Sequence, residues 1–258
     1  MSSSNRSLQF DDPLCKLYNY QLSTINYYMT YILTNDDGID APGIRAMQRA
    51  IDGQGIIVAP KHPHSGCGHQ VTTHKGIQVE RRQEGEYAVD GTPADCSRIA
   101  ITQIIPDARW VLSGINHGGN LGVDVYISGT VAAVREAAIL GIPGIAISHF
   151  SNKPLIIDWE IAARRTSKVL EKLLNLPIEP GSFWNVNLPH LEPGKPEPEM
   201  VFCELGIQPL PVQYRVEGDL YYYSGEYPKR DRLPNTDVDV CFSGNIAVTQ
   251  IRLYNNVE

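Results

Sequence analysis

Three short apolar runs, each passing directly into an unusual loop, restrict this chain more than any other feature. Tyr31-Ile32-Leu33 runs into Thr34-Asn35-Asp36-Asp37-Gly38-Ile39, Gly55 to Ala59 into Pro60 through His69, and Trp110-Val111-Leu112 into Ser113 through Gly122. Runs this short and this apolar read as strands buried on both faces. Between them the periodicity becomes helical. Ala41 to Ile51 predicts a crossover helix with Pro42 in its first turn, where the missing N–H costs nothing. Thr92 as N-cap and Pro93 at the first helical position predict a second helix to about Ile104. Ser128-Gly129-Thr130 opens a third, with Val131, Val134 and Ala138 on one face, and Gly141-Ile142-Pro143 stops it before a buried strand at Gly144 to Ser148. Strands alternating with helices of this length predict a parallel βαβ sheet. Because open parallel sheets bind ligands beyond the carboxyl ends of their strands, all three loops are expected on that one edge.

The 258 residues divide into three expected parts. Residues 1–28 read as a poorly ordered extension, with Met29 as an alternative start. Residues 29–190 form the α/β core, including a small antiparallel insertion with short strands at Gln70 to Thr73, Ile77 to Arg81 and Tyr87 to Val89, a helix from about Trp159 to Leu174 and a strand at Trp184 to Leu188. Residues 191–258 change character, with a proline-rich entry, the aromatic run Tyr221 to Tyr223, and an apparent strand pair in Val238 to Leu253 around Ser243-Gly244-Asn245. That tail reads as an arm packing on the core and on a neighbouring subunit.

Formal net charge is -7 and no Lys/Arg block occurs, which argues against a nucleic-acid footprint. Five scattered cysteines without a C-x-x-C pair argue against a disulfide framework or a zinc cluster. No run reaches the roughly 18 to 20 apolar residues of a membrane span, and Asp11 and Asp12 stand where a signal peptide needs an apolar core. A soluble, cytoplasmic protein is expected.

The chemistry lies in the loops. Asp36 and Asp37 set two carboxylates side by side, and at about 4 Å like charges repel by roughly 1 kcal/mol in water and about 4 kcal/mol at an effective dielectric of 20. A divalent cation would remove that cost, although an Asn-Asp-Asp-Gly stretch also suits a solvated turn. With Ser65 and Asn116 they offer hard oxygen donors, which favour magnesium or manganese. Such a centre polarises a phosphoryl oxygen and supplies hydroxide near neutral pH, the requirement of phosphoester hydrolysis. Gly114, Gly118, Gly119 and Gly122 would let main chain approach an anion, and the helix opening at Ser128 would present free N–H groups to phosphate. The glycines fit neither G-x-G-x-x-G nor G-x-x-x-x-G-K-[ST]. His62, His64, His69 and His117 are candidates for a proton donor; Cys67 and Cys96 read as packing residues.

Leu33 to Ile39, Ala59-Pro60 through Ser65-Gly66, Gly91-Thr92-Pro93-Ala94-Asp95-Cys96, Ser113 to Gly122, Ser128 to Val131 and Thr236-Asp237-Val238-Asp239 resemble, in the same order, the motifs of the SurE survival-protein family of metal-dependent nucleotidases. The resemblance implies a Rossmann-like parallel sheet flanked by helices with a C-terminal β-rich oligomerisation arm, exchanged between the subunits of a homodimer or homotetramer. It also implies hydrolysis of nucleoside 5'-monophosphates to nucleoside and phosphate. The family's metal ligands fall on Asp36, Asp37, Ser65 and Asn116, holding one divalent ion, Mg2+ or Mn2+, per subunit, with Asp36, Asp37 and Asn116 at the centre of catalysis and water activated by the metal as nucleophile. Asn120, Ser128, Gly129 and Thr130 are added as substrate contacts. The sequence departs from the family pattern in its leader, at Gly119 and at Gln250, where proline is common. Two other readings share these residues: a phosphatase forming a covalent aspartyl phosphate on Asp36 or Asp37, and a non-catalytic nucleotide-binding or assembly module.

Overall fold

The protein is described by a computed structural model covering residues 30–151 and 154–253; the expectations for residues 1–28 and a start at Met29 lie outside them. In chain order the strands are β1 (Tyr31–Thr34), β2 (Ile56–Pro60), β3 (Val79–Gln83), β4 (Glu86–Val89), β5 (Trp110–His117), β6 (Gly144–His149) and β7 (Ser182–Leu188). They continue with β8 (Met200–Phe202), β9 (Tyr214–Glu217), β10 (Leu220–Tyr223) and β11 (Ile246–Arg252). The α-helices are α1 (Pro42–Ala50), α2 (Pro93–Ile99), α3 (Gly129–Ile139), α4 (Trp159–Leu173) and α5 (Asp237–Phe242).

Nine strands form one sheet in the order β3-β4-β2-β1-β5-β6-β7-β11-β8, while β9 and β10 form a separate hairpin. From β4 to β7 every pairing is parallel, and β3 and β11 each run antiparallel to their neighbours β4 and β7. This is an α/β Rossmann-like fold. β1 lies between β2 and β5, with Leu33 in register with both Ile57 and Leu112. The chain turns outward in one direction through β2 and in the other through β5, so the switch point, where a crevice opens in sheets of this kind, falls at the carboxyl ends of β1 and β5.

Helices cover both faces because the strands are apolar on both. One core packs Ile44 and Met47 of α1 and Ala162, Val169 and Leu170 of α4 on Leu33, Ile57, Leu112 and Ile147. The other packs Cys96, Val131 and Val134 on Ile32, Val58 and Val111. α2 starts as the sequence demands: Thr92 accepts from Asp95 N–H at 3.2 Å and the Asp95 carboxylate accepts from Thr92 N–H at 3.0 Å, a closed capping box. Beyond Ile99 it continues as a π-helical turn to Ile104.

Two expected strands are not formed. Gln70 to Thr73 is irregular because Thr72 gives both its N–H and its hydroxyl to Asp95 at 2.8 Å, fastening the segment to α2. The first of the two strands expected in Val238 to Leu253 is instead α5; Asp237, fully buried, accepts N–H groups from Gly122, Gly206 and Val238, which holds the chain in a tight turn there. The sheet also crosses the expected division at residue 190. β11 sits inside it between β7 and β8, so within residues 191–253 the hairpin stands apart from the core while the terminal strand is part of it.

α1 approaches β5 so closely that a Cβ on Gly43 would lie 1.9 Å from the Ile115 carbonyl oxygen. Backbone on backbone leaves no flexible group to give way. Gly43→Ala is therefore expected to destabilise the protein by about 2 kcal/mol or more, at or above the middle of the overpacking range, read as a lower urea midpoint at unchanged slope. An unaltered midpoint would contradict this contact.

Candidate active site

Asp36 and Asp37 follow β1, Ser65 lies in the loop after β2, and Asn116 occupies the last turn of β5. All four line one cavity of about 560 Å³, together with Asn120 and Ser128, a volume within the roughly 300 to 1,000 Å³ of ligand pockets. The loops are tied to one another by main chain. His64 N–H donates to the Asp36 carbonyl at 2.7 Å, which sets the Ser65 loop against β1, and Gly68 N–H donates to the Ile127 carbonyl at 3.1 Å. Asp37 accepts from His117 N–H at 2.9 Å, joining β1 to the glycine-rich loop. Asn116 donates its Nδ2 to the Gly118 carbonyl at 2.8 Å, leaving its Oδ1 for an acceptor role.

Asp36 is the electrostatic centre. It is buried, and burial pushes its carboxyl up to about 6, countered by the Thr130 hydroxyl and reinforced by the charge of Asp37. Among the described residues, no cationic side chain ranks with the main influences on it. Thr130 donates its hydroxyl directly to Asp36 Oδ1. Gly129 brings the first turn of α3 against the same carboxylate; a Cβ there would sit 2.8 Å from Asp36 Cβ and 3.0 Å from Cys67 Sγ. The helix start thus supplies positive potential at the acid.

The donor set is two carboxylates, a hydroxyl and an amide carbonyl. Among the described residues no group of three or more His, Cys, Asp or Glu side chains could hold a metal, so a zinc-like centre has no basis here. A buried carboxylate beside a second carboxylate and without a counter-charge fits a hard divalent cation instead.

The expected substrate contacts divide by geometry. Ser128 caps α3 by accepting from Val131 N–H at 3.1 Å, and Thr130 gives both its hydroxyl and its N–H to Asp36, two of the first-turn donors a helix cannot satisfy internally being used in this way. Asn120 is buried, donating Nδ2 to the Ser148 hydroxyl at 2.7 Å, with its backbone carbonyl accepting from Asn185 and Asn187. Of the four loop histidines, His117 lines the cavity and stacks edge-on against Trp159. His69 is bonded to the buried Glu136 at 2.7 Å, which Arg98 also contacts. Burial and the charge of Asp36 push the Cys67 thiol up, and burial pushes Cys96 well up, so neither is an activated nucleophile.

Three residues had no local signal. Asp124, Arg230 and Tyr227 form a buried clamp: Arg230 Nη1 meets Asp124 Oδ2 at 2.8 Å, the Tyr227 hydroxyl donates to the same oxygen, and Arg230 also holds the Leu121 carbonyl at 3.1 Å. It fastens the tail to the glycine-rich loop across more than a hundred residues of sequence.

Thr130→Val is nearly isosteric and removes the hydroxyl from Asp36. We expect manganese affinity, measured by calorimetric titration, to fall about 10- to 100-fold as for other groups that orient metal ligands, with recovery in Thr130→Ser. Equal affinity in Thr130→Val would remove this residue from the site.

Residues 31–209 match the family described as Survival protein SurE. A Nostoc sp. protein provisionally named a 5'-nucleotidase is 64% identical over 226 residues, covering 87% of this chain and all of that one. The 5'-nucleotidase SurE of Heliobacterium modesticaldum is 36% identical, over 86% of each chain. In structure, the SurE protein from Aquifex aeolicus superposes with a TM-score of 0.77 at 32% identity, over 88% of this chain and 95% of that one. The chain belongs to the SurE survival-protein family.

Proposed function

We propose that this chain is a metal-dependent phosphomonoesterase that hydrolyses nucleoside 5'-monophosphates to nucleoside and phosphate, with one Mg2+ or Mn2+ per subunit held by Asp36, Asp37, Ser65 and Asn116. The observation that carries the reading is the buried, uncompensated Asp36 beside Asp37 at the switch point, on one cavity with Ser65, Asn116 and the start of α3. Family membership and the names of its relatives support nucleotide phosphatase activity. The bound ion would polarise a phosphoryl oxygen and lower the pKa of water.

The protein's own groups do the rest. The Gly129 N–H at the open end of α3 offers a donor for a phosphate oxygen, while the Thr130 N–H, like its hydroxyl, serves Asp36. Thr130 orients Asp36 through its hydroxyl, and His117 N–H orients Asp37. The His117 side chain, at the cavity wall, is our candidate for giving a proton to the departing oxygen. Exposed apolar side chains on the hairpin, among them Leu220 and Tyr222, suit contact between copies, in keeping with a homodimer or homotetramer.

Release of inorganic phosphate from AMP or GMP, with and without manganese, tests the reading directly. Metal-dependent release is expected, with no phosphoenzyme trapped by acid quench; absence of release with saturating metal would leave a binding module. Asp36→Asn and Asp37→Asn are each expected to lower turnover by more than about 100-fold, beyond what orienting groups contribute. The metal-free Asp36→Asn protein should hold or raise its melting temperature, because the substitution removes a buried charge and its repulsion with Asp37. Near-normal turnover in both variants would exclude these residues from the mechanism. Asn116→Ala should weaken manganese binding more than Ser65→Ala, since Asn116 is half-buried and braced by Gly118 whereas Ser65 is exposed; the reverse order in a titration would refute this ranking.

A further inference from the structure

We propose that the tyrosine face of the β9–β10 hairpin receives the base of the nucleotide, so that the site selects nucleotides over phosphate esters lacking an aromatic group. The inference rests on the nucleotidase reading and adds to it the element that recognises the substrate. One cavity has the oxygen donors and Tyr214, Tyr223 and Tyr227 in its walls, with Leu210 and Val212 beside them. Side chains of a two-stranded ribbon alternate between its faces. The pairings Tyr223 with Tyr214 and Tyr221 with Val216 therefore collect these four on one face, and Arg215 and Tyr222 on the other.

Tyr214 and Tyr223 meet edge to face, with centroids 5.9 Å apart and planes at 81°, yet each remains 55% exposed. The Tyr223 hydroxyl donates to the Pro211 carbonyl at 2.9 Å, fixing its ring, and Tyr227 is fixed by Asp124 and Arg230. Tyr214 and Tyr223, half-exposed on the same cavity as a phosphate-competent site, match a flat π-system joined to a phosphate, while Tyr227, faced by Arg230 and Phe150, forms the wall beside them. A nucleobase is that group, and stacking of this kind tolerates any base. The adjoining hollow beyond Tyr227, lined by Phe150 and Ser151, is the competing location.

The test compares AMP with ribose 5-phosphate, which keeps the sugar and phosphate and lacks the base, on the manganese-loaded full chain. Adenosine binding is measured separately by calorimetry. The wild-type kcat/KM is expected to favour AMP by about 5- to 100-fold, the range of base–aromatic stacking. In Tyr214→Leu and Tyr223→Leu that ratio should fall toward one through KM for AMP, and adenosine affinity should fall with it. A wild-type ratio near one overturns the proposal, as do tyrosine variants with wild-type ratio and adenosine affinity. A loss carried by Phe150→Leu alone would move the base to the adjoining hollow. Reduced sedimentation mass in Tyr223→Leu at unaltered adenosine affinity would give the tyrosine face to a second copy and equally overturn it. If no ester releases phosphate, the nucleotidase reading fails, and adenosine affinity still decides the role of the tyrosines.

Discussion

The structure around the site is organised by a single electrostatic problem: a carboxylate, Asp36, is buried at the end of β1 with another carboxylate as its neighbour and, among the described residues, no cationic side chain as a main influence on it. Each surrounding element lowers that cost from a different direction. The first turn of α3 gives the Thr130 N–H to the acid, and Gly129 is the residue that lets it come close, since any side chain would strike Asp36 Cβ. Thr130 adds a hydroxyl donor, and His117 N–H takes up Asp37. These are partial compensations by dipoles, and Asp36 still titrates near 6. What remains is a full positive charge's worth of attraction, available to an ion that can share both carboxylates.

The α/β class, the strand ends and the residues that gather at them, Asp36, Asp37, Ser65 and Asn116, were legible in the sequence because each rests on a local pattern. Apolar triplets such as Tyr31-Ile32-Leu33 mark buried strands, Thr92-Pro93 and Asp95 encode a capping box within four residues, and Asp36-Asp37 announces its own repulsion. Ser128-Gly129-Thr130 was legible as a helix start, while the use of the Thr130 hydroxyl depended on Asp36, which is 94 positions away. Where the pattern misled, a tertiary partner had overridden it. Asp237-Val238-Asp239-Val240 alternates as a strand would, but the buried Asp237 carboxylate collects three N–H groups from separate segments and so sets a turn into α5. The same holds at Thr72, whose β propensity yields to two bonds with Asp95.

The Asp124–Arg230–Tyr227 clamp shows how the tail packs on the core. Arg230 is almost fully buried, and its partner Asp124 leaves the glycine-rich loop one turn beyond Asn120. A buried pair of this sort is strongly destabilising to break, because the remaining charge is left without a partner. The segment at residues 227–230 is therefore fixed to the site loop, β11 is fixed inside the sheet, and the hairpin between residues 214 and 223 is suspended from two anchored ends. The cavity consequently joins walls of different character, set by backbone bonds at the strand ends and by a ribbon with exposed faces at the hairpin.

On the proposed reading, that arrangement would couple metal binding to folding. An acid whose folded-state pKa lies above its ordinary value of 3.8 holds its proton more tightly when folded, so ionising it destabilises the native state progressively as pH rises from about 4 to about 6, and fully above that. A shift of this size corresponds to roughly 3 kcal/mol, a sizeable part of the 5 to 15 kcal/mol by which domains are typically stable. The penalty belongs to the metal-free protein at neutral pH. A cation shared by Asp36 and Asp37, as proposed, would reverse its sign, because the same proximity that makes the carboxylates repel would let both attract one ion. Binding to the native state alone then adds stability by mass action. The glycines at positions 43 and 129, which admit backbone where any side chain would clash, hold the strand ends and the helix start close enough for this to operate. Close packing of neutral backbone thus sustains an arrangement of like charges that, without the ion, would favour separation.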